Sequence, residues 1–179
     1  MGVAPGVATY PGRVTSRDDM GSWLEGGSPA GTTARGARLG LPPDGPGALA
    51  SLGRRVAALA VDWTVCLLIA ATFFPVERTG FYLTRGAPTA TLLIFLLENV
   101  LLVGTVGFTL GHRVLGLRVR RAAVAPPGAA PLADSGRPPG LLSGLVRGVL
   151  LCLVIPAVVW DSDGRGLHDR LAGTAIVRR

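Results

Sequence analysis

Residues 54–76 read RRVAALAVDWTVCLLIAATFFPV, a long apolar run from which the expected architecture follows. Two arginines precede a run in which Asp62 is the only charge, and Pro75 helps to close it. A run of about 20 apolar residues is long enough, as a helix, to cross a hydrocarbon core of about 30 Å. The first segment is therefore placed at about 56–76. Two more apolar segments follow, from about Thr89 to Leu110 and from Leu141 to Trp160. The expected fold is an all-α membrane protein. It has three hydrophobic membrane helices, short cytoplasmic surface strands and loops, and a disordered N-terminal tail.

Composition agrees with this reading. The chain has 179 residues, 49% of them hydrophobic and 16% charged, with mean hydropathy +0.46. Soluble domains usually carry about 25% charge, and a wholly disordered chain would be poor in apolar residues. The net charge is +7 and all 18 basic residues are Arg. They flank the apolar runs instead of lining one helix face or interleaving with aromatics, so membrane flanks explain them better than nucleic acid does. Cys66 and Cys152 sit inside apolar runs without a CxxC partner and are expected to be free thiols.

Residues 1–50 are rich in Gly and Pro, as in Pro42-Pro43-Asp44-Gly45-Pro46-Gly47, and are read as a disordered cytoplasmic tail. They lack the apolar core of a signal peptide, and Met20 offers an alternative start. Residues 51–179 form the expected transmembrane domain, in a cell membrane and multi-pass. Arg54 and Arg55 precede the first segment, and loop 111–140 carries Arg113, Arg118, Arg120, Arg121 and Arg137, so both read as cytoplasmic. Three full crossings would put the C-terminus outside, yet it holds Arg165, Arg170, Arg178 and Arg179. The last segment, with Arg147 inside it and Pro156 near its end, either crosses fully or re-enters. The alternation in Leu117-Arg118-Val119-Arg120-Arg121 predicts a short surface strand, and Thr174–Val177 predicts another.

The charges inside the apolar segments are the candidate site. Asp62 lies about 12 Å along the first helix from Arg54, and a carboxylate at that depth is expected to face protein or water. Arg55, two turns earlier, shares its face, with Ala58 between them. Glu98 lies deep in the second segment, where Thr91, Glu98 and Thr105 form a stripe beside Asn99. Arg147 lies about 10 Å into the third segment. An Asp62–Arg147 contact is predicted, with Arg55 as the competing partner. Gly140, Gly144 and Gly148 are spaced by four residues and predict a close helix-packing face, within the chain or with another copy.

Other signals fail. Asp161-Ser162-Asp163-Gly164 starts like a calcium loop but has Arg165 fifth and Ala172 twelfth. His112 and His168 are too few for a multi-histidine metal site. No P-loop, GxGxxG or Ser-His-Asp set stands in a usable context. The chain is expected not to be an enzyme and to need no metal or cofactor.

Three stretches taken together resemble the RDD family of membrane proteins. They are Arg55…Asp62, the run Gly107-Phe108-Thr109-Leu110-Gly111-His112-Arg113-Val114-Leu115-Gly116-Leu117-Arg118-Val119, and Gly166-Leu167-His168-Asp169-Arg170-Leu171-Ala172-Gly173-Thr174. The resemblance covers about residues 51–179. It carries the family's Arg and first Asp to Arg55 and Asp62 and its second Asp to Asp169, with Asp161 and Asp163 as rivals. His112 stands where the family pattern has a Lys. The resemblance implies a membrane protein whose function is largely undefined; ligand transport, with cation/proton exchange as one version, is what it carries. The expected function is support of transport of an unidentified ion or solute, as a homo-oligomer or with a membrane-protein partner in the lipid bilayer, Asp62 and Glu98 being the ion-handling carboxyls. The alternative is a non-transporting membrane subunit or assembly factor. A third reading, a membrane-tethered binding module, requires residues 1–50 to fold.

Overall fold

The computed structural model describes residues 36, 39–77, 79–122, 136–153 and 165–179. Helix α1, Leu52–Phe73, spans 22 residues, or about 33 Å. It begins one turn before the predicted segment, because Gly53, Arg54 and Arg55 continue the helix. It ends two residues before Pro75, which lacks the N–H a further turn needs. A reversal at 74–87 includes a 3-10 turn at Tyr82–Thr84 and is closed by Val76 N–H to Arg85 O and Ala87 N–H to Phe74 O. Helix α2, Pro88–Glu98, starts with Pro in its first turn, where the missing N–H costs nothing, and runs on as one π turn, Asn99–Val103.

The π turn changes the predicted stripe. A wide turn takes an extra residue and rotates everything after it. Thr91, Phe95, Asn99 and Val103 are buried, Glu98 is half-buried, and Thr105 faces out. The predicted segment also stops short of Leu110. The chain turns at Gly107, φ +81°, and starts the short helix α3, Leu110–Val114.

Strand β1, Leu117–Arg121, pairs antiparallel with β2, Thr174–Arg178, in the register Val119 opposite Ile176. Both predicted strands are present. The other edge of β2 takes residues 47–50, through Gly47 N–H to Arg178 O and Ala50 N–H to Ile176 O. One sheet face carries Leu117, Val119 and Ile176, packed with Ala50, Ala58 and Val103. The opposite face carries Ala175 and Val177, covered by Leu39 and Leu41. The last dozen residues of the predicted tail are therefore packed structure. Their Gly and Pro content hides this, because edge pairing and capping of a sheet need no apolar periodicity. Residues 1–35 of the tail lie outside the described residues.

Helix α4, Leu141–Cys152, covers the start of the third segment; residues 154–164, with Pro156, Trp160, Asp161 and Asp163, lie outside the described residues. Helix α5, Leu167–Leu171, leads into β2. The sheet thus gathers the chain before α1, after α3 and after α5 at the N-terminal end of α1.

The glycine face has an intramolecular partner. A Cβ on Gly144 would lie 3.0 Å from Val100 O and 3.1 Å from Asn99 O, and one on Gly148 would lie 2.9 Å from Leu96 Cδ1. Gly140 is the residue before α4, at φ +95°. Gly144→Leu forces α4 off the π turn and is expected to cost about 3 kcal/mol, the upper range for overpacking. Thermal unfolding in detergent checks this; a midpoint equal to wild type would contradict the packing.

The outer surface is apolar. Helix α1 passes the length and hydropathy criteria for a membrane span, yet only 28% of its apolar window is buried. A helix at the centre of a water-soluble core would be mostly buried. Helices Pro88–Val103 and Leu141–Cys152 are apolar but shorter. Phe73, Leu93, Leu97 and Leu142 are each more than half exposed, a surface that water penalises and lipid does not.

Candidate functional site

Asp62 is 2% exposed, one turn beyond Ala58 on α1. Both carboxylate oxygens accept hydrogen bonds from the segment that opens α3. The Thr109 hydroxyl donates to Oδ2 at 2.6 Å and the Gly111 N–H to Oδ1 at 2.6 Å. Thr109 also caps α3, accepting from His112 N–H at 3.3 Å, while its Oγ1 lies 2.5 Å from His112 Nδ1. Gly111 is required by close approach: a Cβ there would sit 2.0 Å from Ala58 O. A buried carboxylate with two short donors is satisfied without a cation.

Glu98 reaches the same place from α2. Its oxygens accept from the Cys66 thiol at 3.4 Å and from Leu110 N–H at 3.5 Å, the N–H next to the Gly111 one that Asp62 takes. Cys66 and Cys152 are free thiols.

The predicted Asp62–Arg147 contact is not what forms. Arg147 Nη1 on α4 pairs with Asp169 Oδ1 on α5, and Asp169 also accepts from the Thr174 hydroxyl at 3.0 Å, with His168 Nε2 3.6 Å from Oδ2. Arg147 is 2% exposed and Asp169 fully buried. The physical reason is division of donors. Asp62 is supplied by a hydroxyl and an N–H, so the guanidinium goes to the carboxylate that α5 carries beneath it.

The two clusters meet at one cavity of about 60 Å³, where Arg55, Asp62, Asn99, His112, Arg147 and His168 line the polar side and Val56, Leu59, Phe95 and Leu151 the apolar side. Arg55 and Asp62 thus share this cavity, and Asp169 reaches it through Arg147. The matching family model covers residues 49–173 and is described as the RDD family. The chain belongs to the RDD family. RDD domains are found in membrane proteins, and the exposed apolar helices fit that setting. Comparison with curated proteins and with solved structures gives no match.

In this RDD protein Arg55 and Asp62 line one cavity, and Asp169 holds the Arg147 that lines it as well. The sequence reading did not single out Thr109, Gly111, His168 or Thr174 as site residues. Their signal was present in the Thr-Leu-Gly-His and Leu-His-Asp runs, whose polar residues fall at the starts of short helices beside apolar segments. Among the described residues, no three His, Cys, Asp or Glu side chains are placed to hold a metal ion.

His112 is neutral here. Burial first, then the charges of Arg147, Arg55 and His168, push its pKa down to about 3. An unfolded histidine takes up a proton below about 6.5, whereas the folded one does so only near 3. Stability is therefore lost as pH falls through that window. His112→Gln is expected to flatten the slope of unfolding midpoint against pH between these limits. An unchanged slope would contradict a neutral, buried imidazole.

Proposed function

We propose that this RDD protein is a multi-pass cell-membrane protein that supports passage of an ion or small solute, with Asp62 and Glu98 as the groups that handle it. The observation that carries this reading is the adjacent pair of carboxyls on two apolar helices, next to a cavity lined by two arginines and two histidines. Acidic groups among lipid-facing helices are costly unless they face protein or water, and they commonly mark ion pathways. The sheet at the N-terminal end of α1 fits a cytoplasmic cap, since most of the arginines near the apolar segments lie around it. Three apolar helices are few for a pathway within one copy, so a homo-oligomer or a membrane-protein partner is part of the proposal. No chemical transformation is involved: the cavity residues bind and relay charge.

The test is purified protein in lipid vesicles, with sodium, potassium and proton fluxes compared against empty vesicles. Flux above the empty control supports the reading. Absence of flux, together with a stable hetero-complex copurified from native membranes, replaces it with the subunit reading.

A further inference from the structure

The hydrogen bonds around Thr109 hold an inconsistency that becomes informative when protons are assigned. The hydroxyl has one proton, yet Oγ1 lies 2.6 Å from Asp62 Oδ2 and 2.5 Å from His112 Nδ1. It can donate to only one of them. If it donates to Asp62, then Nδ1 must carry a hydrogen and donate to Oγ1. If Asp62 is protonated and donates to Oγ1, the hydroxyl donates to a bare Nδ1, and the Thr109 N–H 3.3 Å away can donate there too. The second arrangement keeps every one of these contacts, whereas the first gives up the bond from the Thr109 N–H to Nδ1 in exchange for the one from Nδ1 to Oγ1.

We infer that Asp62, Thr109 and His112 form a proton relay between the cavity and the Asp62–Glu98 carboxyl pair. In the first state Asp62 is ionised, Thr109 O–H points to it, and His112 carries its hydrogen on Nδ1. A hydronium ion in the cavity that His112 lines gives a proton to Nε2, the ring nitrogen that Thr109 does not engage, and leaves as water. The Nδ1 hydrogen passes to Oγ1 as the hydroxyl hydrogen passes to Asp62. The result is neutral Asp62, an intact hydroxyl and a neutral imidazole with its hydrogen on Nε2. One proton has entered: three O–H or N–H bonds have formed on the protein and three have broken, at Nδ1, at Oγ1 and in the donor hydronium. Rotation of the hydroxyl and return of the tautomer reset the chain. The imidazole is neutral in both end states, which suits its place beside Arg55, Arg147 and His168. Glu98 faces Asp62 from α2, and Cys66 faces Glu98 from α1. Asp62 also borders the cavity, so direct exchange with cavity water is the competing route, and the test separates the two. The use of this relay in transport rests on the proposed function; its existence does not.

The full chain in lipid vesicles is transferred rapidly from H2O to D2O, and the infrared band of the protonated carboxyl, identified by its loss in Asp62→Asn, is followed in time. Thr109→Asn keeps a capping oxygen for α3 but has no hydroxyl to relay a proton. It is expected to slow exchange about 100-fold, the lower range for a positioned proton-transfer group, while Thr109→Ser stays near wild type. If Thr109→Asn does not fold, His112→Gln breaks the next link and carries the same expectation. Exchange in Thr109→Asn or His112→Gln as fast as wild type overturns the relay, and so does Thr109→Ser as slow as Thr109→Asn. Vesicles without flux whose exchange still depends on Thr109 overturn the transport reading and support the relay.

Discussion

Arg147→Met alone and Asp169→Leu alone are each expected to cost about 3–5 kcal/mol of stability, and the double variant to recover most of that loss. Arg147 and Asp169 are 2% and 0% exposed and face each other directly. Removing either leaves the other's charge buried without its counter-ion, which is the expensive situation. Removing both leaves apolar side chains of similar length in the same space. The residual cost in the double variant comes from the Thr174 hydroxyl, which donates to Asp169 in the native protein and loses that acceptor. Unfolding midpoints of the four proteins in one detergent complete the cycle. Single variants within about 1 kcal/mol of wild type, the range of an exposed pair, would contradict a buried pair.

The second large effect is at Gly111. In an exposed helix Gly→Ala stabilises by about 1 kcal/mol. Here the sign is reversed, because the new Cβ would meet the backbone oxygen of Ala58 at 2.0 Å, and backbone cannot swing aside as a flexible side chain can. Gly111→Ala must push α3 off α1 and lengthen both hydrogen bonds to Asp62. The expected loss is about 3 kcal/mol or more, at or beyond the usual range for overpacking. Gly104→Ala is a graded comparison, since its Cβ would meet Leu141 Cα and Cδ2 at 2.9 Å. The unfolding midpoint in detergent measures both; a Gly111→Ala midpoint at or above wild type would contradict the docking of α3 on α1.

Part of this was legible in the sequence, for identifiable reasons. Hydropathy marks the apolar helices because burial in lipid or protein selects composition over long windows. Alternation marks β1, and the small residues at every fourth position mark the face of α4 that meets the π turn. Asp62 and Arg147 stand out because a charge in an apolar run needs a reason. The pairing was not legible. Helical depth places Asp62 and Arg147 at one level and both do border the cavity, but the choice of partner depends on the donors that loops bring in. Thr109, Gly111 and Asp169 all come from short polar stretches with no periodicity. The π turn was equally hidden: one extra residue in a turn leaves no mark in composition, yet it moves Thr105 out of the stripe and leaves Asn99 buried. Residues 39–50 look like tail in the sequence because sheet-edge pairing uses the backbone, which Gly and Pro content obscures.

The proposed role of Asp62 is to handle an ion or small solute that crosses the membrane. Asp62→Asn keeps an oxygen that can accept from Thr109 or Gly111, so the docking of α3 is largely preserved while the charge and the titratable proton are lost. Flux in lipid vesicles, normalised to folded protein, measures the consequence most directly. A loss of about tenfold or more is expected, or at least about 1.4 kcal/mol in the barrier. Wild-type flux from folded Asp62→Asn would contradict it.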